Sequence, residues 1–473
     1  MRRMLVPRSA ARSALRRMVP PARGSGLPFW TDPIFVVTII VGVSLALFAM
    51  IGEKTFLSEY RQPRQPLDEV ISTYALIWLA VVMGFLCGRL LIPGGTIGTP
   101  ATEQAHANKI EPRLRAAAWA AVAMTLLGYA IYFAASNASP AMFLAAMQGE
   151  LKANFALKDS FDKIPGITSF MNLACWWFVY IAFRLVVQRK AISSAEIGIT
   201  LLLFGLTLVR GFAVNERRVI FELLVPAAIA CVFWKRHWGL TMMRVIWIGP
   251  LLAPLLLCVV FAITEYFRSW TNFWQFGMTE LPYIQWALVR LAGYYVTAIN
   301  NGIAALSDPS LHTWGTLTFS GIAKFPLLND LFWTEYDRVS AMADYKAIIT
   351  RLANEEFNNP GGASVVMIDF GKAAGAAVLF FTGFFISITY RMAQRGGLIS
   401  VMLYSQVFFS MLEITRFWNF LSSFSMINLI FIGILATSFA MSGSGKPSGP
   451  MRRRLRRPAS LKPARPTPQW SAQ

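Results

Sequence analysis

A series of long, nearly uncharged apolar runs limits what this chain can fold into more than any other feature. A helix needs about 20 mostly apolar residues to cross the hydrocarbon core of a bilayer. Runs of that kind stand at 34–51, 71–92, 115–135, 167–188, 196–213, 217–234, 242–265, 364–390, 397–415 and 418–441. The expectation is an all-α polytopic membrane helix bundle of about ten transmembrane helices. Composition agrees: 55% of residues are apolar and 14% charged, against about 25% charged in a soluble domain. Such a chain lacks the polar surface needed to stay in water. The first run follows a basic region, as in a signal peptide. It is too long for one, and no small-residue cleavage pattern precedes Gly52-Glu53-Lys54, so it reads as a first span.

The basic residues orient these spans. Arg2, Arg3, Arg8, Arg12, Arg16, Arg17 and Arg23 precede the first run, and Arg452, Arg453, Arg454, Arg456 and Arg457 follow the last. Lysine and arginine collect in cytoplasmic connections. With the N-terminus inside, the connections at 93–114 (Lys109, Arg113), 189–195 (Arg189, Lys190), 235–241 (Lys235, Arg236) and 391–396 (Arg391, Arg395) fall inside too. The basic tail then also lies inside, as an even number of spans requires. The net charge of +20 is thus concentrated in two tails that face membrane lipids, and nucleic-acid binding is not expected.

The domain plan is a basic cytoplasmic tail (1–33), seven spans (34–265), a large outer loop (266–363), three spans (364–441) and a second basic tail (442–473). A structureless loop of nearly a hundred residues is rare. Helical periodicity over Tyr283 to Leu306, with Gly293 and Gly302, suits a helix on the membrane surface or capping a cavity.

Chemistry is sought among ionisable residues near the outer face, where positive charge is disfavoured and so calls for a reason. Arg210, Arg217, Arg218, Arg268, Arg290, Arg338, Arg351 and Arg416 are of this kind. A ring of guanidinium forks would match phosphate oxygens; the plainer alternative is ion pairing with Glu216, Glu265, Glu355 and Glu413. Asn358, Asn359, Pro360, Gly361 and Gly362 form a turn whose backbone can approach a ligand closely. Asp369 and Lys372 follow at the mouth of a span. His106, His237 and His312 are scattered, and Cys87, Cys175, Cys231 and Cys258 lie in apolar runs without ligand spacing, so no metal site and no cofactor are expected.

Three segments carry a resemblance. They are Glu265-Tyr266-Phe267-Arg268-Ser269-Trp270, the run Arg290…Gly293-Tyr294-Tyr295…Asn300-Asn301, and the Asn-rich turn leading to Asp369-Phe370-Gly371. Together with the span pattern, they resemble bacterial oligosaccharide repeat-unit polymerases, the Wzy-type O-antigen and exopolysaccharide polymerases. Arg351 and Gly362 have the Arg-x10-Gly spacing that recurs in outer loops of that family. The resemblance implies a GT-C-like, metal-independent glycosyltransferase of the bacterial inner membrane, with both termini cytoplasmic and the active site facing the periplasm. Its substrate would be an undecaprenyl-diphosphate-linked oligosaccharide, with a chain-length regulator as a further candidate partner. Arg210, Arg217, Arg268, Arg290, Arg351 and Arg416 would hold the diphosphate. Asp369, Glu355 or Glu265 would accept the acceptor's proton. A lipid-linked glycan ligase and a transporter without catalysis are the alternatives.

Overall fold

The computed structural model describes residues 27–92, 100–148, 150, 153–161, 164, 166–188, 190–213, 218–234, 255, 258–259, 261–263, 265–266, 270, 274, 276–277, 279–308, 311, 313–325, 328–354, 357–359 and 361–443. Arg217, Arg268, Glu355, Pro360 and His312 lie outside the described residues, as do both basic tails and most of the run at 242–265.

Among the described residues the chain is helical, without strands. The longer helices are α1 (Pro33–Met50), α2 (Leu67–Leu91), α3 (Pro100–Ala134), α4 (Ala174–Phe183), α5 (Ser194–Ala213), α6 (Arg218–Trp234), α7 (Tyr283–Leu306), α8 (Glu335–Leu352), α9 (Ser364–Gln394), α10 (Leu398–Leu412) and α11 (Ser423–Gly443). Among the described residues, seven segments are long and apolar enough to cross a membrane. They lie in α1, α2, α3, α5, α9 and α11 and in Thr168–Gln188, which contains α4. Ile39, Val43, Leu79, Met83, Leu201, Phe381 and Phe385 on these segments are exposed, as a lipid-facing surface requires. The protein is therefore a helical membrane protein.

Local chemistry explains the helix ends. Asp32 caps α1 by accepting the Ile34 N–H at 3.0 Å, with Pro33 at the first helical position. Asp68 and Glu69 open α2 and Arg89 lies in its last turn, each complementing the helix dipole. α6 fills all 17 described residues of its expected span. One expected span comes out short: α10 has 15 residues, about 22 Å of helix against a core of about 30 Å. α10 stops where Glu413 and Arg416 enter the chain. The connection expected at 93–114 is helical from Pro100 onward, because its Ala, Glu and Lys residues are strong helix formers.

The centre of the bundle is the α2–α9 pair, which packs backbone to backbone. A Cβ on Gly84 would lie 1.8 Å from the Phe380 carbonyl oxygen, and one on Gly383 would lie 2.0 Å from that of Val81. Small residues at such positions let membrane helices approach closely. Within α9, Gly371 takes φ +75° and separates a short first segment from the long span that follows.

α7 narrows one expectation. Val296 to Ala305 are all buried, so of the two placements open to it, a surface helix or a cap over a cavity, its second half does not take the first. Its first half is two-sided, with Ile284 and Leu288 exposed while Trp286, Ala287 and Arg290 are buried.

Candidate functional site

The site is assembled around α7, and each polar or small residue of its Arg290…Asn301 run has a physical task there. Asn300 clamps the segment entering α2: its Oδ1 accepts the Gln65 N–H at 2.7 Å and its Nδ2 donates to the Pro63 carbonyl at 2.8 Å. Asn301 Nδ2 donates to the carbonyls of Phe357 (2.6 Å) and Asn359 (3.0 Å). Gly293 makes room for two rings, since a Cβ there would stand 2.7 Å from Tyr60 and 3.0 Å from Phe357. The Tyr60 hydroxyl donates to the Val289 carbonyl at 2.8 Å, next to Arg290.

The asparagine–glycine turn holds protein against protein. Gly361 (φ +88°) and Gly362 (φ +55°) both adopt left-handed backbone, which L side chains resist. A Cβ on Gly361 would meet the Ala298 carbonyl oxygen at 2.6 Å, and one on Gly362 the Ile414 carbonyl oxygen at 2.1 Å. The Gly361 carbonyl accepts the Tyr74 hydroxyl at 3.0 Å, and the Ala363 N–H donates to Ile414 at 2.7 Å. Asn358 is exposed and Asn359 half-buried beside it. The turn thus fixes Phe357 on one side and the Glu413–Arg416 turn on the other.

Three arginines are gathered at this end of the bundle, each backed by a carboxylate and an aromatic ring. Arg290 is buried, donates from Nε to Glu265 Oε2 at 2.9 Å, and lies 5.1 Å from the Trp286 ring centre and 5.2 Å from that of Phe357. Arg416 pairs with Glu413 at 3.2 Å and lies 5.4 Å from the Tyr294 ring. Arg218 pairs with Glu222 at 2.6 Å and lies 4.8 Å from the Phe417 ring. Tyr294 and Phe357 are in ring contact at 5.4 Å, so the guanidinium groups of Arg290 and Arg416 flank one aromatic pair. Tyr295 is packed next to Glu413 and Arg416. Burial, reinforced by the Glu413 charge, pushes its phenol up to about 12, so it stays a neutral donor at physiological pH.

This arrangement suits a polyanion. The carboxylates and rings hold the guanidinium groups in place in a partly dehydrated setting, where they need not reorganise when charge develops on a ligand. Arg416 Nε, Trp418 Nε1 and both ends of the Asn419 carboxamide are buried without a hydrogen-bond partner in this structure. Each such group costs about 1–3 kcal/mol.

The other sequence candidates separate. Arg210, in the last turn of α5, donates to Asn172 at 2.9 Å. Arg351 is two-thirds exposed and pairs with Asp308 at 2.8 Å, beyond the far end of α7 and about 25 Å along its axis from Arg290. The structure does not bring it to the other arginines. Asp369 accepts hydrogen bonds from the Thr313 hydroxyl and the Thr318 N–H; both of its oxygens hold the 313–318 turns onto α9. Glu265 is wholly buried in its pair with Arg290.

One carboxylate was missed from sequence. Glu59, half-buried before Tyr60, faces Arg290 and Arg61 and is hydrogen-bonded by Thr279. Burial outweighs these partners and lifts its carboxyl above the ordinary value of 4.5. The available signal was the cluster of Glu59, Arg61 and Arg64 in a short connection otherwise read only for its length. Among the described residues no group of three His, Cys, Asp or Glu side chains is arranged to hold a metal ion.

Compared with models of known protein families, with curated proteins and with solved structures, the chain matches none.

Proposed function

We propose that this protein is a membrane-embedded glycosyltransferase that polymerises lipid-linked oligosaccharide repeat units. The growing glycan on undecaprenyl diphosphate is the donor and the next lipid-linked unit the acceptor. The observation that carries this reading is the row Arg290, Arg416 and Arg218 at one end of an apolar bundle, with buried donors beside Arg416. A lipid diphosphate is a ligand whose chain belongs in the bilayer and whose head needs such donors. In this reading that end of the bundle faces the periplasm.

The reaction follows from those groups. The acceptor hydroxyl attacks the anomeric carbon of the donor glycan as the bond from that carbon to the phosphate oxygen breaks. The lipid diphosphate leaves with the electron pair, and the guanidinium groups stabilise the negative charge it gains. The hydroxyl proton goes to a carboxylate, and Glu59 is placed for that role: it borders the arginine row without being sealed inside an ion pair as Glu265 is.

Reconstitution in liposomes with a synthetic undecaprenyl-diphosphate repeat unit, followed by gel analysis of the glycan, tests the activity. A ladder formed without added nucleotide is the expected result. With folded protein and a matched substrate, a single unextended band would overturn the reading.

Glu59 carries its own prediction. A base works as the carboxylate, so the rate should fall as pH drops through a value above the usual carboxylate range. Glu59→Gln should slow transfer about 100-fold or more without weakening binding of the lipid diphosphate. Stability should move the other way. A carboxyl raised in the folded state favours folding only while protonated, and that contribution is lost as pH rises through the raised value. Near neutral pH the glutamine variant should therefore be no less stable than wild type. A variant that melts early, or one that turns over normally with an unchanged pH profile, would remove Glu59 from this role.

A further inference from the structure

Between α7 and α8 lies a surface that the arginine row does not use. Trp314 is 67% exposed, Leu331 72%, Phe332 64% and Val339 62%. Contacts between their neighbours bring these four to one region of the fold. The Trp333 indole donates to the Trp314 carbonyl at 2.8 Å, and the rings of Phe332 and Trp333 are 5.7 Å apart. Arg338, next to Val339, ties the start of α8 to Asp330 at 3.5 Å and to the Ala323 carbonyl at 3.4 Å.

Trp314 also adopts left-handed backbone (φ +49°), a conformation that L residues resist and that tends to be kept where it serves a purpose. Here it presents a tryptophan to the outside.

The patch has a fixed height in the fold. Asp369, in the second turn of α9, holds Thr313 and Thr318. The Gly321 N–H donates to the Leu421 carbonyl at 2.8 Å, two residues before α11 begins. A Cβ on Gly321 would stand 2.4 Å from Met426 of α11, so the segment is pressed against that helix. Residues 313–323 are therefore pinned at the level where two helices long and apolar enough to cross a membrane start, and such a helix meets the boundary between hydrocarbon and headgroups near its end. Tryptophan is a residue type enriched at that depth. Leucine, phenylalanine and valine beside it want acyl chains. A sugar-binding platform would instead surround its aromatic face with hydrogen-bonding side chains. The exposed Lys324 adds a cation suited to lipid phosphate.

We infer that the 314–339 segment is a membrane-interface anchor that inserts Trp314, Leu331, Phe332 and Val339 into the outer edge of the bilayer surrounding the bundle. This inference does not depend on what the arginine row binds.

Depth measurement decides it. A Leu331→Cys variant, with the four native cysteines replaced, is labelled with an environment-sensitive fluorophore and placed in phosphatidylethanolamine/phosphatidylglycerol vesicles. The expected result is blue-shifted emission, quenched by brominated lipid and not by iodide, while a label at Asp330→Cys, 75% exposed, is quenched by iodide. Quenching of the Leu331 label by iodide alone would overturn the anchor. Protection from both quenchers would overturn it too, and would indicate a protein contact such as a second copy. Wild-type protein gives a second measurement without any substitution. A photoactivatable lipid should leave adducts on Trp314 and on residues 331–333, and their absence alongside adducts on α1 and α9 would also sink the proposal.

Discussion

Arg416→Ala is expected to lower glycan transfer by about two to three orders of magnitude, the usual cost of removing one preorganised donor from a developing anion. Arg416 is the informative choice because it is part-exposed, in contrast to Arg290, whose loss would leave Glu265 buried and uncompensated. Removing Arg416 does leave Glu413 facing Tyr295, so stability must be measured beside rate. Arg416→Lys separates the two effects. It restores a cation for Glu413, but it lacks the planar fork that contacts two oxygens at once. Recovered stability with transfer still depressed at least tenfold is the expected pattern, read by single-turnover extension in liposomes and by a melting curve. Arg351→Ala serves as the contrast. Its side chain is largely in solvent and pairs with Asp308 away from the row, and such surface pairs contribute at most about 1 kcal/mol. Normal ladders from a folded Arg416→Ala protein would end the diphosphate proposal. Loss of activity in Arg351→Ala alone would return weight to the Arg-x10-Gly spacing.

Seven of the ten expected spans were legible in the sequence because hydrocarbon imposes a local rule: length and apolarity suffice, and partners hardly enter. Where a tertiary partner decides, legibility failed. Tyr283 to Leu306 has a helical pattern that suits a surface helix as well as one capping a cavity, and its second half is enclosed because the Asn300 and Asn301 amides bind the Pro63–Gln65 and Phe357–Asn359 segments. Nothing in the local pattern distinguishes an asparagine that faces water from one that clamps another segment. Glycine was ambiguous for the same reason. Gly361 and Gly362 invite a ligand-cradle reading, since permissive backbone and close approach are what such a cradle needs. The approaching groups are the carbonyls of Ala298 and Ile414. The arginines were visible as charges out of place, but sequence could not separate Arg290 and Arg416, which share the Tyr294–Phe357 pair, from Arg351, which does not. Glu59 escaped because its character comes from burial beside a helix more than 200 residues later.

Gly362→Ala tests whether that turn builds the site, and its effect on glycan transfer should far exceed that of Gly371→Ala. Both glycines have positive φ, +55° and +75°, so both substitutions carry a backbone penalty: about 1–2 kcal/mol at Gly362, and about 1–3 kcal/mol at Gly371, whose ψ of 167° places it in a region almost confined to glycine. They differ in space. A Cβ on Gly371 meets nothing within 4 Å, whereas one on Gly362 would stand 2.1 Å from a backbone carbonyl oxygen that has no rotamer to yield. Overpacking of this kind costs about 1–3 kcal/mol more, so Gly362→Ala should lose roughly 3 kcal/mol or more of stability in total. The displaced group is Ile414, whose carbonyl binds the Ala363 N–H and whose neighbours are Glu413 and Arg416. Movement there would pull Arg416 from Tyr294, so transfer should fall further than the loss of folded protein explains. The comparison is made on folded material of both variants, by melting temperature and by single-turnover rate. A Gly362→Ala loss within the backbone penalty of about 1–2 kcal/mol would show that backbone strain alone governs the turn. A Gly362→Ala protein that is unstable but transfers glycan at the wild-type rate per folded molecule would detach the turn from the arginine row. The Arg416 contact with Tyr294 would then rest on α10 alone.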